Sequence, residues 1–131
     1  MDLKRLCRIA ERMGIQVVEG ELPGRRRGLY SHSRGLIVLR EGLSYPRARS
    51  TLAHEIGHAS YGHEPASDVV TQTKQERLAD EWAAKTLINP VEYALAEVMY
   101  GTHIGLLANQ LDVTPRLIRV WRGMVLGPGA A

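Results

Sequence analysis

Residues 54–58 read His-Glu-Ile-Gly-His. On a helix, positions four apart stack on one face, one turn above the other. His54 and His58 can therefore bring both imidazoles to one Zn²⁺ at about 2.0–2.1 Å. Glu55 projects beside the first of them, where its carboxylate can hold a zinc-activated water and take its proton. Neutral imidazole suits zinc, and a carboxylate is the natural base for such a water. The chemistry implied is metal-assisted hydrolysis.

A catalytic zinc needs a third protein ligand and one open position. The following segment, Glu76-Arg77-Leu78-Ala79-Asp80, again places two side chains four apart. Glu76 can complete a His₂Glu set. Asp80 can accept the free ring N–H of a ligating histidine, which fixes its tautomer and raises its basicity. Glu81 lies about 100° further round the helix from Asp80, and Asp68 falls in an expected loop, so both compete less well.

These residues need elements to hold them. Leu3, Leu6, Ile9, Ala10 and Met13 recur at helical spacing, with Gly14 as a stop. Cys7 lies near that stripe as a small core residue. Ile15 to Val18, Leu29 to His32 and Leu36 to Arg40 read as strands, and Leu36-Ile37-Val38-Leu39 is apolar enough to be covered on both faces. A helix capped at Ser44 or Tyr45, with Pro46 in its first turn, should run to Gly62. Its Ala48, Leu52, Ile56 and Ala59 form an apolar stripe opposite the histidines. Further helices are expected from about Thr73 to Leu87, from Asn89-Pro90 to Gly101, from Thr102 to near Leu111, and from Thr114-Pro115 to about Gly123. The tail 127–131 should be frayed. Strands first and helices after argue α+β, with a sheet of about three strands packed on the histidine helix.

The chain has 131 residues, 44% of them hydrophobic and 24% charged, the composition of one globular domain. No apolar run is long enough for a bilayer, and no apolar signal core follows the N-terminus. A single cysteine excludes an internal disulfide and suits a cytoplasmic setting. Charge is uneven. Residues 1–50 carry 11 Lys/Arg against 5 Asp/Glu, and residues 51–131 carry 6 against 9. Arg25-Arg26-Arg27 is the densest basic run, either a solvated loop or a dock for an acidic partner.

The run His54 to His63 (HEIGHASYGH), then Glu76 to Ala84 (ERLADEWAA), then Leu87-Ile88-Asn89-Pro90 resembles the ImmA/IrrE family of metallo-endopeptidases. Family members typically read HELGH and a second GH, then E-x-x-A-[DN]-x-F-A-A, then L-L-M-P. The resemblance is strong over residues 28–90 and looser over 1–27 and 103–122. Trp82 stands where phenylalanine is usual and Asn89 where methionine is usual, both at packing or capping positions. The resemblance implies a zincin-like core and a zinc site of His54, His58 and Glu76 with Glu55 as catalytic base. It also implies cytoplasmic action, in a bacterium or phage, on a regulatory protein such as a transcriptional repressor. With no room for an added DNA-binding or sensor domain, that repressor is expected to be a separate protein. The expected layout is one metallopeptidase domain: 1–62 with the first helix, sheet and histidine helix, 63–100 with the third-ligand helix and its successor, 101–126 a helix-turn-helix-like part, and 127–131 a tail.

A second donor for the oxyanion, besides the metal, is needed. Tyr61, His63, Tyr30, His32, Tyr93 and His103 are the candidates, His63 first because it belongs to the resembling motif. Two other functions compete, the first a DNA-binding regulator whose zinc site is structural or vestigial. Residues 103–122 have the pattern of a helix-turn-helix, with Ala108 and Leu111, the turn Asp112-Val113-Thr114, and Leu117, Ile118 and Trp121 packing. Arg116, Arg119 and Arg122 near one face could contact DNA, although the C-terminal part is acidic overall, which gives little electrostatic drive. The third reading is a protein that grips a repressor or antitoxin without cutting it; the intact Glu55 argues against that.

Overall fold

The computed structural model describes residues 1–126; the expectation of a frayed tail falls outside them. Helix α1 (Leu3–Arg12) opens on Asp2, whose side chain accepts from the Arg5 amide at 2.9 Å. Its apolar side buries Leu6 and Ala10, whereas Met13 lies past the last turn and is exposed.

Three strands follow, β1 (Gln16–Gly20), β2 (Gly28–Ser31) and β3 (Leu36–Arg40). They form one mixed sheet in the order β1-β3-β2, with β1 parallel and β2 antiparallel to β3. In the central strand only Ile37 and Leu39 are buried, while Leu36 and Val38 are half-buried. The apolar run is thus covered fully on one face, not on both. The helices packed on the sheet are α1 and α2 (Tyr45–Ser60).

Helix α2 is the centre of the molecule. It packs on α1, β2, β3 and α3 (Val69–Leu87). Leu52, Ala53 and Ile56 are fully buried. Pro46 sits in its first turn, but Ser44 makes no side-chain capping bond. After Tyr61 the chain turns away through Gly62 at φ +64°, a conformation glycine adopts without a steric cost.

Helix α3 starts four residues before the expected Thr73, because Asp68 is its cap and accepts from the Thr71 amide at 2.9 Å. Asp68 is therefore a capping residue, remote from the histidines in role. Asn89 caps α4 (Pro90–Tyr100) by accepting from the Val91 and Glu92 amides. Helix α5 (Ile104–Leu111) is capped by His103 Nδ1, not by Thr102, and α6 (Pro115–Leu126) runs past Gly123.

The α5–α6 turn is clamped to α2. Arg49, almost fully buried, donates to the carbonyls of Leu111 and Asp112 at 3.0 and 3.1 Å and to that of Met1 at 2.7 Å. Ser50 Oγ accepts from the Thr114 amide at 3.1 Å. Helix α6 also packs along α3. No helix among the described residues is long and apolar enough to cross a membrane.

Candidate metal centre

His54 and His58 leave α2 on one side, and Glu76 leaves α3 to meet them. The two Nε2 atoms are 3.1 Å apart. Glu76 Oε2 lies 2.9 Å from His54 Nε2, and its Oε1 lies 3.3 Å from His58 Nε2. Three lone-pair donors thus face one point. Ligands held tetrahedrally at about 2.0–2.1 Å from a cation are separated by about 3.3 Å, so the donor set fits a metal ion closely. It is the only such His/Cys/Asp/Glu group found among the described residues.

The helices can approach this closely because residue 57 is glycine. A Cβ there would lie 2.8 Å from the Ala79 carbonyl oxygen and 3.0 Å from Ala79 Cα. Any side chain would push α2 and α3 apart and separate the histidines from Glu76. Gly28 plays a similar part beneath Glu55: a Cβ would lie 2.6 Å from Thr51 Cγ2 and 3.1 Å from Glu55 Cγ. Neither requirement is visible in the residue pattern, although a glycine inside an otherwise good helix is itself a hint of close packing.

Behind the donors stands a second set of contacts. Asp80 Oδ1 is 2.8 Å from His54 Nδ1, and Arg116 Nη2 donates to Asp80 Oδ2 at 2.7 Å. His58 Nδ1 lies 3.0 Å from His63 Nδ1, so one of these two rings donates and the other accepts. Tyr61 stacks on His63 with ring centres 5.3 Å apart. Each histidine thereby has its outer nitrogen engaged, which fixes ring orientation.

The charges respond to this arrangement. Burial of the His54 ring works against its proton, but the hydrogen bonds to Asp80 and Glu76 outweigh burial and push its pKa up to about 10. The same contacts with His54 and His58 hold Glu76 far below the usual carboxylate range. Burial would raise Asp80, but its bonds to His54 and Arg116 prevail and hold it down. Glu55 behaves oppositely. It is buried, and desolvation pushes its carboxyl up against the pull of the neighbouring histidines.

These groups border an open cleft of about 470 Å³, whose lining includes His54, Glu55, Glu76 and Asp80 together with Arg25, Arg26 and Arg27. Tyr61 and His63 are not among its lining residues. Of the other candidate oxyanion donors, Tyr93 Oη accepts from Arg122 Nε at 2.7 Å, His103 caps α5, and Tyr30 Oη bonds His32 Nδ1 at 2.8 Å. The three arginines considered for DNA have diverged. Arg116 is on Asp80. Arg122 is tied to Tyr93, to the Thr102 carbonyl at 2.6 Å and to Glu97. Arg119 lines a groove between α3 and α6.

A small mixed sheet under a two-histidine helix, with a carboxylate supplied by the next helix, defines a metallopeptidase-like domain. The sequence profile of the IrrE N-terminal-like domain, a peptidase family, matches residues 10–120, and the chain belongs to that family. No curated protein matches the chain significantly. Among solved structures, a Mycobacterium tuberculosis transcriptional regulator superposes with a TM-score of 0.70 at 17% identity. The superposition covers 97% of this chain and 42% of the regulator, so the likeness is one of fold and the chain spans under half of that protein.

Proposed function

We propose that the protein is a zinc-dependent endopeptidase that cuts a regulatory protein, such as a transcriptional repressor or an antitoxin-type partner. The observation that carries this reading is the convergence of His54 Nε2, His58 Nε2 and the Glu76 carboxylate at separations of 2.9–3.3 Å, with the Glu55 carboxyl buried in the same cleft.

His54, His58 and Glu76 would hold the ion. A zinc ion there supplies Lewis acidity and lowers the pKa of water toward about 7. Every other step belongs to the chain. Asp80 and His63 fix the two imidazoles so that their Nε2 lone pairs face inward. Glu55 takes the proton of the attacking water and returns it to the leaving amine. A carboxyl raised by burial suits that shuttle, because a base whose pKa approaches the working pH can both accept and give back a proton.

The regulatory substrate is supported by family membership and by the regulator whose fold the chain shares. The DNA-contact reading finds less support, since Arg116 and Arg122 already have partners within the protein.

Incubation of zinc-loaded protein with a peptide library, read by mass spectrometry, tests the proposal. Cleavage should be present with the wild type and reduced at least about 100-fold in Glu55→Gln at equal zinc content. Absence of wild-type cleavage, or equal cleavage by Glu55→Gln, would overturn it.

A further inference from the structure

The run Arg25-Arg26-Arg27 lies in the loop joining β1 to β2, and that loop is built rather than slack. Arg40, on β3, donates its guanidinium to three loop carbonyls: Arg26 at 2.6 Å, Gly24 at 2.7 Å and Leu22 at 2.9 Å. Its backbone amide donates to the Arg27 carbonyl at 2.8 Å. One half-buried cation thus gathers the backbone of the loop, and the three arginine side chains stay exposed at the cleft.

None of the three has a carboxylate within 4 Å among the described residues. The acidic groups of the cleft are otherwise engaged. Asp80 is paired with Arg116 and His54, Glu76 faces both histidines, and Glu55 lies buried on the floor. Arg26 lies near enough to Glu55 to pull its carboxyl down against burial, but none of the three arginines is ion-paired, so the loop presents positive charge at the cleft. Guanidinium groups pair with carboxylates in a two-pronged geometry. A loop already fixed by Arg40 loses little freedom when it does so.

We propose that this arginine loop is a specificity element that selects peptide segments carrying Asp or Glu beside the bond to be cut. The inference rests on the peptidase reading of the centre and adds the substrate class. A phosphate chain would offer the same charge, but the arginines line the same cleft as Glu55 and the His54–Glu76 donor set, the groups that the peptidase reading assigns to a peptide bond.

Fluorescence anisotropy with zinc-loaded Glu55→Gln protein tests it, using an Asp/Glu-rich decapeptide, its Asn/Gln isostere and a short DNA duplex. The acidic peptide should bind about tenfold more tightly than the isostere. Combining Arg25→Gln, Arg26→Gln and Arg27→Gln should remove that preference, and Arg26→Gln alone should reduce it. Equal binding of the two peptides, a preference untouched by the variants, or tighter binding of the duplex would each overturn the proposal. In the peptide-library digest, wild-type cleavage sites should be flanked by Asp or Glu, and the triple variant should lose that bias. If neither protein cuts any peptide, the peptidase reading fails, and the anisotropy still decides whether the loop recognises acidic peptides.

Discussion

Arg116 Nη2 donates to Asp80 Oδ2 at 2.7 Å while Asp80 Oδ1 holds His54 Nδ1 at 2.8 Å. A residue of the last helix is thus linked through one carboxylate to the first histidine of the donor set. Helix α6 forms part of the wall of the site. Asp80→Asn should lower zinc affinity about 10- to 100-fold, the usual cost of removing such a partner. Arg116→Met should cost less, about two- to fivefold, because that side chain is largely exposed and its pair is screened. Competition with a chromogenic chelator measures both, and equal affinities in all three proteins would contradict the linkage.

Helical glycines differ in what surrounds them, and this gives a prediction of opposite signs. Gly57 meets the α3 backbone, whereas a Cβ at Gly123 in α6 meets nothing within 4 Å. Gly57→Ala should destabilise the fold by about 1–3 kcal/mol through overpacking and weaken zinc binding. Gly123→Ala should stabilise it by about 0.5–1 kcal/mol, the ordinary helix gain. Urea unfolding of the two variants separates the cases; stabilisation by both would show that the α2–α3 approach is not tight.

In the metal-free protein, His54 and Glu76 should make stability depend on pH in opposite senses. His54 has its pKa raised to about 10 in the folded state, from an ordinary value of 6.5. Its contribution is complete below about pH 6.5 and is lost as pH rises through about 10. Glu76 is lowered from 4.5, so its contribution is complete above about pH 4.5 and is lost as pH falls further. Between about pH 4.5 and 6.5 both hold. Zinc must displace the His54 proton, so zinc affinity should rise with pH across neutrality. Thermal melts of chelator-treated protein check the first statement and titrations at several pH values the second. A melting temperature that climbs steadily from pH 6.5 to 9 without metal would contradict the assignment.

Local pattern carried a large part of this account, and its limits are physical. The spacing of His54 and His58, and of Glu76 and Asp80, is set by one turn of helix, so periodicity alone places each pair on one face. The three strands and the family resemblance were legible for the same reason. What the pattern missed depends on contacts between distant segments. Arg116 sits at a helical spacing that also suits DNA contact, and only the packing of α6 on α3 turns it to Asp80. His63 belongs to the recognised motif, yet its ring stands behind His58 and away from the cleft lining. Helix α3 begins at Val69 and not at Thr73 because its apolar period is weak in the first turn, and His103 is an uncommon cap. The run of arginines could be read as solvated until Arg40 fixed its backbone at the cleft.

The most direct measurement is zinc content of purified, folded protein, comparing wild type with Glu55→Gln, His58→Ala and Glu76→Gln. About one zinc per chain is expected in the wild type and in Glu55→Gln, with little in the other two. A folded wild type that binds no zinc when the metal is supplied, or a His58→Ala protein that binds it equally well, would contradict the metal centre on which the account depends.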